Sequence, residues 1–228
     1  AMDDAAGLQI ATRLNAQTRG QAVAMRNAQN GISMLQTAEG ALEESTNILL
    51  RMKDLATEAA SDTASTDDRT AIGAELTALQ NELTNIFNNT AFGGRTLFTG
   101  SAALATTTQF QIGASTAETM TLTGVTVPTT LALAAAPAAT DAASYNTLIG
   151  TINTKITDLS KFRSELGAVS NRLEHTYNNL GNMSNNTEAA KGRIMDVDYA
   201  SESANMTTKQ MLMQAGTSML KQSSSMSQ

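Results

Sequence analysis

The chain lacks cysteine and tryptophan altogether, has one histidine and two prolines, and carries only five Phe and three Tyr among 228 residues. Without Cys there is no disulfide, no thiolate metal site and no Cys nucleophile. His175 stands alone, which excludes any two-His metal motif and leaves Ser-His-Asp catalysis hanging on one residue. Cations are scarce as well. Fifteen Lys and Arg against 21 Asp and Glu leave a net charge of −6, which argues against nucleic acid as a partner, since phosphate binding needs clustered Lys and Arg. No stretch approaches the roughly 18 apolar residues of a membrane span; the longest run, residues 131–136, stops at Pro137. The opening residues Ala1–Gly7 are small and acidic, without the apolar core expected of a secretory leader.

What is present is aliphatic. Hydrophobic residues make up 41% of the chain, enough for a core built from Leu, Ile, Met and Ala. From about residue 5 to 60 there is no proline, and Leu35, Leu42, Leu49 and Ala56 recur every seven residues, with Ala38, Ser45, Met52 and Ala59 as a companion row three on. That is an a/d seam whose small members admit a partner helix closely. A helix of this length would run roughly 80 Å. The polar segment 61–66 predicts a turn, with Ser65 or Thr66 capping a second helix and Asp67 and Asp68 in its positive first turn. Ile72, Leu76, Leu79, Leu83 and Ile86 give that helix, about 66–89, one buried face that folds back along the first.

Helical spacing ends near Asn88-Asn89-Thr90, and Gly93-Gly94 marks a turn. Between about 96 and 127 the pattern alternates, with Phe110 and Ile112, Met120 and Leu122, then Val125 and Val127; residues 113–118 read as a hairpin loop. Residues 128–140 hold both prolines and form a short connector. A third long helix, about 141–192, is carried by Ile149, Ile152, Ile156, Leu159, Phe162, Leu166, Val169, Leu173 and Leu180. The tail then presents Met206, Met211, Leu212, Met213, Met219 and Leu220 with nothing in the chain left over to cover them. The fold class expected is mainly α: an elongated antiparallel long-helix bundle with a small β-hairpin region.

No catalytic constellation emerges. Asp3-Asp4 and Glu43-Glu44 are sequence neighbours and point apart on a helix. Asp67-Asp68 suits a helix start better than a metal, His175 lies off its helix's apolar stripe beside Glu174 and Tyr177, and Gly93-Gly94-Arg95-Thr96 lacks the Gly-Lys-Ser/Thr of a phosphate loop. No enzyme activity, cofactor or metal is expected.

Several blocks resemble bacterial flagellins. They are residues 3–8 (Asp-Asp-Ala-Ala-Gly-Leu) and 27–42, the hairpin segment Phe110-Gln111-Ile112-Gly113-Ala114, and, near the other end, residues 178–182, 193–200 and 214–217, in the family's order. The resemblance implies a subunit of the flagellar filament: a rod domain over 1–195, and over 196–228 the C-terminal part of an inner coiled-coil domain. It implies a homopolymer of flagellin subunits, export through the flagellar type III apparatus, and an extracellular location in the filament. An export chaperone would bind the C-terminal segment, so Met206, Met211, Leu212, Met219 and Leu220 are the expected assembly and chaperone residues. Family members carry further residues before the first block and after Gln228, so this chain by itself is not expected to build native filaments. Residues 49–56, Leu-Leu-Arg-Met-Lys-Asp-Leu-Ala, resemble the segment read by Toll-like receptor 5, which places Arg51, Leu55 and, from the second helix, Glu75 as receptor contacts. A hook–filament junction protein, which shares the terminal helices, is the alternative.

Overall fold

The computed structural model describes residues 5–99, 104, 108–122, 142–196 and 199–226. Four helices and two antiparallel strand pairs follow one another: α1 (Ala5–Ala59), α2 (Thr66–Asn89), β1 (Ala91–Phe92), β2 (Arg95–Thr96), β3 (Thr108–Gln111), β4 (Thr119–Leu122), α3 (Ala142–Met195) and α4 (Tyr199–Met226). Asp3-Asp4, the continuation through Val125 and Val127, and the proline connector lie outside the described residues. The chain forms two compact units, residues 19–184 and residues 1–18 with 185–228.

In the larger unit the heptad row of α1 is entirely internal: Leu35, Leu42, Leu49 and Ala56 are buried, as are Ala38, Ser45, Met52 and Ala59 between them. α3 answers with a row of its own. Tyr145, Ile152, Leu159, Leu166, Leu173 and Leu180 are each seven residues apart and all buried, the 3.5-residue repeat of a coiled-coil seam. Arg163 of α3 reaches Glu39 of α1 at 3.7 Å, and Leu173 lies beside Gly31. Ten residues on along α3 thus correspond to eight back along α1, so the two helices run antiparallel. α2 runs back along α1 likewise, with Glu75 beside Arg51 and Arg69 beside Ala59. The short residues of α1 let the helices approach: a Cβ at Gly31 would stand 3.0 Å from the Phe110 ring and 3.1 Å from Leu173.

Helix ends are finished by local chemistry. Arg69 donates from Nε to the Ala59 carbonyl at 2.9 Å and from its guanidinium to the Ser61 carbonyl at 3.0 Å, which satisfies acceptors that the end of α1 leaves open. Ser65 is the cap of α2, in a reciprocal capping box with Asp68. The hydrogen bonds from the Ser65 side chain and backbone hold the Asp68 carboxyl below the usual carboxylate range. Tyr145 donates its hydroxyl to the Arg69 carbonyl at 3.1 Å, and desolvation raises its pKa.

The β elements form two hairpins, the second lying along α1, with Phe110 beside Gly31 and Gln111 beside Asn27. Gly93 and Gly94 have φ of 58° and 81°, the paired positive φ that a two-residue hairpin turn demands and that glycine supplies without strain. β3 and β4 pair with Phe110 opposite Met120. Alternation puts Met120 and Leu122 in the core and leaves Gln109 and Gln111 exposed. Phe98, just after β2, lies 4.9 Å from the ring of Phe87 and 6.3 Å from that of Phe162. This ring cluster ties the hairpin segment to α2 and α3.

The a-row of α1 extends toward the N-terminus through Ala28 to Gln21, whose buried side chain finds no hydrogen-bond partner among the described residues for either its oxygen or its nitrogen. A buried amide left unsatisfied costs roughly 1–3 kcal/mol. Gln21→Met, close in volume and free of that penalty, is therefore expected to raise the denaturant midpoint of unfolding with an unchanged slope, by about 1–3 kcal/mol of stability. A lower midpoint would show that the amide is satisfied by internal water.

Candidate interaction surfaces

Among the described residues no group of three or more His, Asp or Glu side chains could hold a metal ion, and His175 is exposed on α3. Grooves do mark the surface, and one of about 650 Å³ holds the charged side chains Glu188, Arg193 and Asp196. Another of about 340 Å³ lies between α1 and the hairpins, lined among others by Asn27, Gly31, Phe92, Phe110 and Gln111. The Asn27 side chain donates to the Gln111 carbonyl at 3.2 Å, and the Gln111 amide donates to the Gly113 and Ser115 carbonyls. These neutral amides fix the hairpin on the helix and offer no proton transfer. The groove could not be read from sequence, because it needs Gln111 brought beside Asn27 by a contact spanning 84 positions.

Two surfaces stand out instead. On the first, Arg51 of α1 and Glu75 of α2 are brought together. The Arg51 guanidinium donates to one Glu75 oxygen through Nε at 3.1 Å and its terminal nitrogen at 2.6 Å. Both side chains are about half exposed, so the pair contributes only about 0–1 kcal/mol to stability. Leu55, one turn after Arg51, does not share that surface: it is 3% exposed and belongs to the core. One turn of helix places i and i+4 side by side, yet 40° of rotation is enough to carry Leu55 over the edge into the seam beside Ala56 and Ala59. Leu50 is the apolar side chain that remains open there, at 46% exposure.

The second surface is α4. Met206, Met211, Leu212, Met213, Met219 and Leu220 are all exposed. At about 100° per residue, Met206, Leu212, Met213, Met219 and Leu220 fall within an arc of about 140°, while Met211 points away from it. Gly216 sits inside that arc with nothing packed over it. Elsewhere in the same unit, the start of α1 and the end of α3 line a groove of about 270 Å³ through Leu8, Ala11, Thr12, Asn15, Lys191 and Met195.

A long heptad seam, a hairpin laid against α1 and an uncovered apolar arc on α4 suit a structural subunit. Comparison with known proteins gives the family. The bacterial flagellin N-terminal helical region matches residues 1–103, and the bacterial flagellin C-terminal helical region matches residues 149–228. The chain belongs to the flagellin family.

It is 40% identical over 222 residues to a flagellin of Halalkalibacterium halodurans, covering 96% of this chain and 80% of that protein. To flagellin A of Vibrio anguillarum it is 34% identical, over 97% of this chain and 86% of the relative. The crystal structure of Bacillus cereus flagellin superposes with a TM-score of 0.57 at 32% identity, covering 68% of this chain and 88% of that one. A Vibrio parahaemolyticus protein described as flagellar hook-associated superposes at 0.71 but at 16% identity, a likeness of fold alone. Flagellins are structural proteins and not enzymes, and this one is a subunit of the flagellar filament, a polymer of flagellin subunits outside the cell. Among the described residues no helix is long and apolar enough to cross a membrane.

Proposed function

We propose that this flagellin joins its filament through the apolar arc of α4, with Met206, Leu212, Met219 and Leu220 as principal contacts, and that the same segment, Met211 included, is held by an export chaperone before assembly. The observation that supports this reading is that Met206, Met211, Leu212, Met213, Met219 and Leu220 of α4 are all exposed in the single chain, a surface that water disfavours by about 25 cal/mol per Å² and that a partner would cover. In this reading residues 1–195 form the rod domain and 196–228 the inner domain, the division falling between the end of α3 and the start of α4.

We further propose recognition by Toll-like receptor 5 on the face of Arg51 and Glu75, with Leu55 supporting that face from the core beneath. Arg51→Ala is expected to reduce potency in a receptor reporter assay about tenfold or more, as loss of a charged interface group does, while stability shifts by less than about 1 kcal/mol because the ion pair is exposed. An Arg51→Ala protein that folds and signals like the parent would overturn the assignment. Leu55→Ala is the poorer probe, since its burial makes any loss of signal a packing effect too.

A further inference from the structure

With no Cys and no Trp in the sequence, the thioether of methionine is the side chain most open to two-electron oxidants, and among methionines exposure decides which react. The twelve Met residues are not spread evenly between core and surface. Met34, Met52 and Met120 are buried in the larger unit, whereas Met206, Met211, Met213 and Met219 of α4 are open, from 57% exposure at Met206 to 73% at Met219. Three of these four, Met206, Met213 and Met219, lie on the apolar arc beside Leu212 and Leu220. Met211, 60% exposed, lies outside it.

We propose that Met206, Met213 and Met219 form an oxidation site at which a peroxide-class oxidant switches off assembly. In the step itself a sulfur lone pair attacks one peroxide oxygen and the O–O bond breaks. The sulfur is oxidised to the sulfoxide, and the second oxygen, after proton transfer, leaves as water. Each event turns an apolar, flexible side chain into a strong hydrogen-bond acceptor. On a face that must be buried, a sulfoxide without a donor opposes association by about tenfold or more. Met211 reacts equally well by its exposure but, lying off the arc, leaves assembly unchanged. The effect on assembly rests on the reading of α4 given above; the pattern of oxidation does not.

The test treats monomer of the full chain, as its bacterium produces it, with hydrogen peroxide. Added oxygen is mapped by peptide mass spectrometry, and elongation is then measured from filament seeds. Oxygen is expected on Met206, Met211, Met213 and Met219 well before Met34, Met52 or Met120, with elongation slowed about tenfold or more. With the combined change Met206→Leu, Met213→Leu and Met219→Leu, whatever elongation rate the untreated variant shows should be unaltered by peroxide; Met211→Leu should remain as peroxide-sensitive as the parent. Equal protection by Met211→Leu, or oxidised chains that elongate at the untreated rate, would overturn the proposal. A triple Met206→Gln, Met213→Gln and Met219→Gln variant separates the two readings. If it elongates normally, α4 is not the assembly segment. If it is blocked while peroxide-treated parent elongates freely, the oxidation site alone fails.

Discussion

Phe98→Ala is expected to destabilise the larger unit by about 3–5 kcal/mol, the range for removing a fully buried ring. Phe98 is 2% exposed and stands between Phe87 of α2 and Phe162 of α3. Its removal loses both ring contacts and the apolar area of the largest side chain that the segment after β2 contributes. The neighbouring Leu97 and Leu104 are fixed by backbone bonds, Leu97 N–H to the Thr90 carbonyl at 2.9 Å and Leu104 N–H to the Leu97 carbonyl at 3.1 Å, so the backbone has little freedom to collapse into the cavity. Chemical denaturation followed by circular dichroism measures the change. A loss below about 1 kcal/mol would show that the rings are not a shared packing unit.

A second large effect is expected at the seam. Leu42 is fully buried at the centre of the α1 row, and Leu42→Ala should cost about 2–5 kcal/mol, since neighbours on a regular helix cannot move inward without breaking their own register. Leu50→Ala, on the same helix but 46% exposed, serves as the comparison and should fall within about 0.5 kcal/mol of the parent. Both midpoints come from the same denaturation experiment, and equal losses at the two positions would contradict the seam.

The seam was the most legible part of the chain. Leu35, Leu42, Leu49 and Ala56 announce it by spacing, and all four are buried, because a repeat sustained over several turns leaves a helix only one way to hide its apolar face. The turn at Gly93-Gly94 was readable from glycine's tolerance of positive φ, but β1 and β2 were not, since two-residue strands carry no periodicity. α3 runs to Met195, a little beyond the apolar stripe that marked it, because nothing after Leu180 provides a strong stop and polar residues continue a helix readily. At the surfaces, the exposure of the α4 methionines followed from a count of apolar residues with no partner. The meeting of Arg51 with Glu75 was not legible, since their 24-residue separation leaves no local trace; family likeness named the two residues only as separate receptor contacts. Leu55 shows the limit of spacing rules: one helical turn places two residues together in angle only roughly, and at the edge of a seam that difference decides between surface and core.

The row from Gln21 to Ala56, matched by the row from Tyr145 to Leu180, also restricts how such a protein can change in length. One inserted residue would turn everything beyond it by about 100° and carry the seam to the outside. Seven residues added to α1, with seven added to α3 opposite, keep both rows aligned and lengthen the pair by about 10.5 Å. Viable descendants of this flagellin would therefore differ in these helices by whole heptads.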